Sequence, residues 1–192
     1  MMDQALRFLL DTGFGLLTYS FLLRFMMQWL RAPFRNPVGQ ALIALTDWAV
    51  KPLRRVLPGF KGQDTSTLVL AWCAQFVWLL ATSVVVRRMA PDGTVVLALA
   101  LYAVIELFKA AVWIVIITVV IQAVMSWFSP DGPLAGFLNA MTFRFLAPIR
   151  RFVPLLGGTL DLSPLILIVL LQLVLMLPVP WLETTLLGYF RG

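Results

Sequence analysis

Long apolar runs alternate with short basic segments along the chain, and the lengths of the runs predict helices that cross a membrane. A hydrocarbon core takes about 20 mostly apolar residues in helix. The runs from about Thr12 to Leu30, Ser66 to Val86 and Pro164 to Leu182 each meet that length. A further run, Thr94 to Phe128, is longer and carries Glu106 and Lys109. As one helix it would measure about 50 Å at 1.5 Å per residue, more than the hydrocarbon core. No glycine or proline interrupts it. The reading is therefore one span over about Ala110–Phe128, with Thr94–Lys109 as a helical extension at or near the far interface. That gives four spans; splitting the long run gives five.

Between the spans of each half, residues 36–58 and 132–154 read as short amphipathic segments. Asn36 can cap the first and Pro37 can start it. Val38, Ala41, Leu42, Leu45, Trp48 and Ala49 then share a face, with Gln40, Thr46, Asp47 and Lys51 elsewhere. Leu134, Phe137, Leu138, Met141 and Phe145 repeat the stripe. Such helices can lie in the interface with their apolar face among acyl chains. Pro52 and Pro148 are expected to end them, since each ring blocks helical bonds. The arginine pairs Arg54-Arg55 and Arg150-Arg151 then fall just beyond, at headgroup depth, where planar guanidinium donors suit phosphate. Asp64-Thr65-Ser66 and Ser163-Pro164 are expected to cap and start the second and fourth spans. Trp29, Trp127 and Trp181 stand near span ends, where indole rings favour the headgroup level.

Composition agrees with this pattern. Apolar residues make up 61% and charged residues 12%, with a mean hydropathy of +0.93. Soluble domains carry about twice that share of charge, so the chain lacks the polar surface of a water-soluble globule. There is no histidine, and a single cysteine, Cys73, excludes an intramolecular disulfide. With no histidine, the commonest general base and most transition-metal sites are gone. Cys73 reads as a small buried apolar side chain. No nucleophile–base pair or glycine-rich phosphate loop is recognisable, so neither an enzyme nor a cofactor is expected. The N-terminus lacks a basic n-region, and the first run reads as a retained helix.

The net charge of +6 lies in segments flanking the apolar runs. With four spans, Arg31, Arg35, Lys51, Arg54, Arg55, Lys61, Arg144, Arg150 and Arg151 share one side. Arg7, Arg87, Arg88 and Arg191 keep to the other. The positive-inside rule places the richer side in the cytoplasm and both termini outside, in the periplasm of a bacterial inner-membrane protein. The partners this implies are anionic lipid headgroups and a membrane protein or further copies of the chain. No nucleic-acid signature accompanies the charge.

The chain is also internally repeated. Residues 46–58 align without gaps to residues 142–154: Thr, five residues, Pro, an aliphatic, Arg-Arg, two apolar residues, Pro. The register continues back to Asn36-Pro37 against Gly132-Pro133 and, with one inserted residue, forward to Asp64-x-Ser66 against Asp161-x-Ser163. Upstream, with a two-residue gap, Gln28-Trp29 meets Ser126-Trp127. The fold expected is an all-α membrane protein built by tandem duplication of a helix–amphipathic segment–helix unit, residues 1–93 and 94–192.

On Arg35-Asn36-Pro37, Thr46, Pro52-Leu53-Arg54-Arg55, Pro58 and Asp64-x-Ser66, with Thr142, Pro148-Ile149-Arg150-Arg151, Pro154 and Asp161-x-Ser163, the sequence resembles the YggT family over nearly its whole length. The second copy departs from it with Asp131-Gly132-Pro133. The resemblance implies a two-repeat membrane protein tied to osmotic-stress tolerance and potassium homeostasis. Plastid and cyanobacterial relatives imply links to cytochrome complex assembly and to nucleoid or membrane organisation.

The candidate sites follow. Arg35, Asn36, Pro37, Pro52, Arg54, Arg55, Pro148, Arg150 and Arg151 form the expected lipid- or partner-binding surface. The same arginine spacing in both copies goes beyond what topology requires, although generic lipid contact is the simpler account. Arg24, inside the first span, either snorkels to the interface or makes a polar contact between the repeats; Gln122 is its counterpart. Glu106 and Lys109 share a helix face and read as a local ion pair, or as a cation or proton site. Asp64 and Asp161 read as caps. The function expected is a non-enzymatic membrane accessory protein. An oligomeric cation channel or carrier, and an assembly factor for a cytochrome complex, are the alternatives.

Overall fold

The computed structural model describes residues 2–57, 59, 64–86, 92–128, 132, 134–153 and 161–189. Pro58, Lys61, Arg87, Arg88, Asp131, Pro133, Pro154 and Arg191 fall outside the described residues. Helix accounts for nearly everything described, and no strand occurs among those residues. The helices are α1 (Met2–Trp29), α2 (Pro37–Val56), α3 (Thr65–Ala81), α4 (Gly93–Phe128), α5 (Ala135–Phe152), α6 (Ser163–Met176) and α7 (Pro178–Tyr189). A π-helical turn, Thr82–Val86, extends α3.

Four stretches are long and apolar enough to cross a membrane: Gln4–Trp29, Thr65–Val85, Gly93–Trp127 and Ser163–Leu186. The long third run is one unbroken helix of 36 residues, so the five-span alternative falls. The first span starts earlier than its apolar run, because the amphiphilic turn bearing Arg7 and Asp11 is helical, with these two side chains 3.7 Å apart at i,i+4. The fourth is interrupted at Leu177, before Pro178. A proline lacks the N–H that would continue the ladder and disfavours helical backbone in the residue before it.

Both amphipathic segments are helical but are not ended by their prolines. Pro52 and Pro148 lie inside α2 and α5, which continue to Val56 and Phe152. Each proline is exposed, so its ring forfeits one bond on the outer side of the helix. The inner side stays packed through Val50 and Leu146, 0% and 1% exposed. In α2 the packed face is also rotated from the expected stripe. Gly39, Leu42, Thr46 and Val50 are buried, whereas Leu45 and Trp48 face outward. The α5 stripe fits better: Phe137, Leu138 and Met141 are buried as expected, with Thr142 and Leu146.

α1 and α3 form an antiparallel hairpin. At one end the Asp64 amide donates to Gln28 Oε1 at 3.2 Å; at the other, Trp78 Nε1 donates to Asp11 Oδ1 at 2.8 Å. α4 packs across this hairpin through Leu107, Ala110 and Ile114, and α5 closes the core with Met141 and Leu146. Cys73 is half-buried on α3 instead of fully enclosed.

Asn36 caps α2 as expected: Gly39 N donates to its Oδ1 at 2.9 Å, with Pro37 in the first turn. A Cβ on Gly39 would stand 2.5 Å from the Phe34 carbonyl oxygen, so this turn closes only around glycine.

Candidate functional site

The two arginines of each pair sit in the last turn of α2 or α5, where cationic groups face the carbonyl end of the helix. They have different partners. Arg54 Nε donates to Asp64 Oδ2 at 2.8 Å, and its Nη2 makes a second close bond to the same oxygen. Arg150 Nε and Nη2 both lie 2.9 Å from Asp161 Oδ2. In each copy, then, the first arginine ties the end of the amphipathic helix to the aspartate that precedes the next span. Arg55 and Arg151 are exposed and have no acidic partner among the described residues, and neither does the exposed Arg35.

These clamps correct the expected caps. Asp64 precedes α3 but its side chain makes no capping bond: Oδ2 is held by Arg54, and the buried Oδ1 has no partner among the described residues. Asp161 serves both ends: Oδ1 accepts from the Ser163 amide at 2.9 Å while Oδ2 takes Arg150. Burial alone would raise the Asp161 pKa, but Ser163 and Arg150 outweigh it and hold the carboxyl below its usual range. Ser163 is the first residue of α6, not its cap, and its buried hydroxyl has no hydrogen-bond partner among the described residues; Ser66 Oγ, its counterpart, donates to Leu57 O at 2.9 Å.

A second duplicated contact lies deeper. Arg24 is 5% exposed and donates to Thr46 Oγ1 and, at 2.8 Å, to Asp47 Oδ1. It neither snorkels nor bridges the repeats; it joins α1 to α2 within the first copy. Thr46, placed on the polar face by the sequence pattern, is fully buried here and donates to the Leu42 carbonyl. In the second copy Gln122 meets Thr142, which is also fully buried. Where the span residue is charged, its neighbour on the amphipathic helix is Asp47; where it is the neutral Gln122, the aligned neighbour is Phe143. Lys51 also reaches Asp47, at 2.8 Å. These bonds, Lys51 foremost and Arg24 with it, hold the Asp47 carboxyl below its usual range against a smaller opposing effect of burial.

The Glu106–Lys109 ion pair forms at 2.8 Å, and Lys109 Nζ lies equally close to Glu183 Oε1 on α7. Glu183 was missed from sequence, although it is the lone acid of the Ser163–Leu186 span. Beside this bridge is a cavity of about 290 Å³ lined by Asp11, Thr18, Gln75, Trp78, Glu106 and Lys109. Thr18 is 2% exposed and its hydroxyl has no hydrogen-bond partner among the described residues. No cluster of His, Cys, Asp or Glu that could hold a metal ion occurs among the described residues.

This fold and these duplicated contacts define a four-span membrane protein made of two helix–amphipathic helix–helix repeats. The chain belongs to the CCB3/YggT family, whose profile matches residues 3–85 and 101–182. It is 32% identical over 172 residues to the uncharacterized protein YggT of Escherichia coli (strain K12), covering 89% of this chain and 87% of that one. It is 32% identical over 178 residues to the uncharacterized protein PA0392 of Pseudomonas aeruginosa, covering 92% and 89%. An uncharacterized protein in the proC 3' region of Vibrio alginolyticus is 33% identical over 172 residues, covering 88% and 90%. No solved structure matches.

Proposed function

We propose that the protein is a non-enzymatic membrane accessory protein that docks a partner membrane complex through its basic interfacial surface. The observation that carries this is the division of labour within the arginine pairs. Arg54 and Arg150 fix the ends of α2 and α5, and so present Arg55 and Arg151 outward from a rigid turn in both copies. Topology alone asks for positive charge, not for a clamp that orients it. The anionic headgroups of the cytoplasmic leaflet of a bacterial inner membrane, and an acidic face on a partner, suit this surface. The family resemblance implies a physiological setting for this role, osmotic-stress tolerance and potassium homeostasis. Changing Arg55 and Arg151 together to Gln is expected to abolish co-purification of the partner complex from native membranes while leaving insertion intact. Undiminished co-purification by the inserted variant would refute the proposal.

A second reading, an oligomeric cation channel or carrier, is favoured by the cavity beside Glu106 and Lys109, since ionisable groups inside spans often mark ion paths. Cation flux in liposomes that disappears in Glu106→Gln would support it. The assembly-factor reading differs in the partner, and recovery of a cytochrome complex in the same purification would identify it.

A further inference from the structure

α1 ends in a motif that ordinarily selects glycine. Arg31 has φ 56°, the left-handed region, and Ala32 N donates to Met27 O at 2.8 Å while Arg31 N donates to Gln28 O at 3.1 Å. These are the two bonds of a Schellman cap, with arginine at the position where glycine costs least. A cation at this end of a helix gains only the modest, salt-screened pull of the terminal carbonyls, so a side chain kept there against its backbone preference points to a further use for the guanidinium.

Arg31 lines a cleft of about 570 Å³ between the repeats, together with Trp29, Asn139, Phe143 and Arg144. The Arg144 guanidinium lies 5.4 Å from the centre of the Trp29 ring, and that ring meets Phe145 edge-on at 6.5 Å. Neither arginine has an acidic partner among the described residues, so two unneutralised guanidinium groups share one cleft. Trp29 also borders a second space, an apolar groove of about 440 Å³ lined by Phe25, Leu68, Trp72, Val104 and Phe108. Two arginines without acidic partners and an apolar groove thus meet at one indole, at the end of a span. The duplication does not repeat this pair: Arg144 aligns with Trp48, and Arg31 with Ser129.

We infer that Arg31 and Arg144 hold the phosphate of one anionic phospholipid, with an acyl chain in the groove between α1, α3 and α4. This rests on the proposed reading that the basic surface works at the headgroup level, and narrows it to one asymmetric site. Guanidinium groups bind phosphate through charge-assisted, geometrically matched bonds, and the all-apolar lining of the groove suits hydrocarbon.

Native mass spectrometry of the full chain in equal phosphatidylglycerol and phosphatidylcholine tests it. The wild type should retain one phosphatidylglycerol in preference. Arg31→Gly relieves the left-handed backbone and so should fold at least as well, yet lower that preference about tenfold, as should Arg144→Gln. Arg55→Gln with Arg151→Gln removes exposed charge outside the cleft and should lower it at most about twofold, so a failure of the docking surface and a failure of this site show separately. A preference that survives in the Arg31→Gly, Arg144→Gln double variant would overturn the inference. So would equal loss in the Arg55, Arg151 variant, which would mean diffuse surface charge, or displacement of the lipid by inorganic phosphate alone, which would mean that the acyl groove contributes nothing.

Discussion

The first and second repeats solve the same problem with different chemistry. Each must join an interfacial helix to the span before it and to the span after it. The connection to the following span is the same in both: an arginine in the last helical turn held by an aspartate, Arg54 to Asp64 and Arg150 to Asp161. The connection to the preceding span is not. The first copy buries a charge, Arg24, and neutralises it with Asp47; the second uses the neutral Gln122 against Thr142. The shared threonine fixes where the two helices touch, and the charge is an addition made in one half only. A buried cation commits its neighbourhood more strongly than an amide does, because removing its partner leaves a charge with no solvent to receive it.

That contrast sets the largest expected effect. Asp47→Asn should destabilise the protein by about 3 kcal/mol or more, since Arg24 remains buried without a counter-ion. Gln122→Leu in the second copy should cost only about 1 kcal/mol, the net worth of a neutral hydrogen bond. Thermal unfolding in detergent measures both, and equal losses would erase the distinction between the halves. The helix starts differ as well. Gly39→Ala should cost about 2 kcal/mol, as the added methyl meets backbone at 2.5 Å. Gly136→Ala, with open space around it in the first turn of α5, should instead raise stability by up to about 1 kcal/mol.

The following-span clamps should respond more weakly, because Arg54 and Arg150 are both more than a third exposed. Asp161→Asn is expected to cost about 1 kcal/mol or less, read as faster hydrogen exchange in the first turn of α6. Acid should act in the same direction. The folded-state pKa of Asp161 is depressed, so its contribution is fully present above the ordinary carboxylate range and is lost as pH falls through the folded value. Protection at Ser163 that is unchanged well below pH 4 would show that this carboxyl has little part in the folded state.

Much of this architecture can be read from the chain. The duplication, the four spans and the amphipathic character of α2 and α5 all follow from periodicity and self-alignment, since each depends on local pattern. The errors share a cause, which is that single residues were assigned by local rules and the fold overrode them. Pro52 and Pro148 break helices in isolation, but exposed on α2 and α5 they cost only an outward-facing bond. Thr46 looks like a polar-face residue until Arg24 arrives from another helix. Asp64 has the composition of a cap, yet an arginine ten positions upstream binds its Oδ2 and the carboxylate makes no capping bond. The partnership of Lys109 with Glu183 spans 74 positions, and only packing of α4 on α7 reveals it. The left-handed backbone at Arg31 is hidden for the opposite reason, because a glycine there would have announced the cap and an arginine conceals it.

The length of α4 carries a consequence for the lipid around the molecule. Its 36 residues amount to about 54 Å of helix set in about 30 Å of hydrocarbon. An upright rod of that length would push apolar turns into water; leaning by about 40° cuts its reach to about 41 Å, within the roughly 40–45 Å of hydrocarbon plus headgroups. Leaning widens its footprint in the plane, and the tilt that hides every apolar turn depends on how thick the host bilayer is. Thinner membranes should therefore splay the two halves and thicker ones draw them together, making the outline of this small protein a gauge of the sheet that contains it.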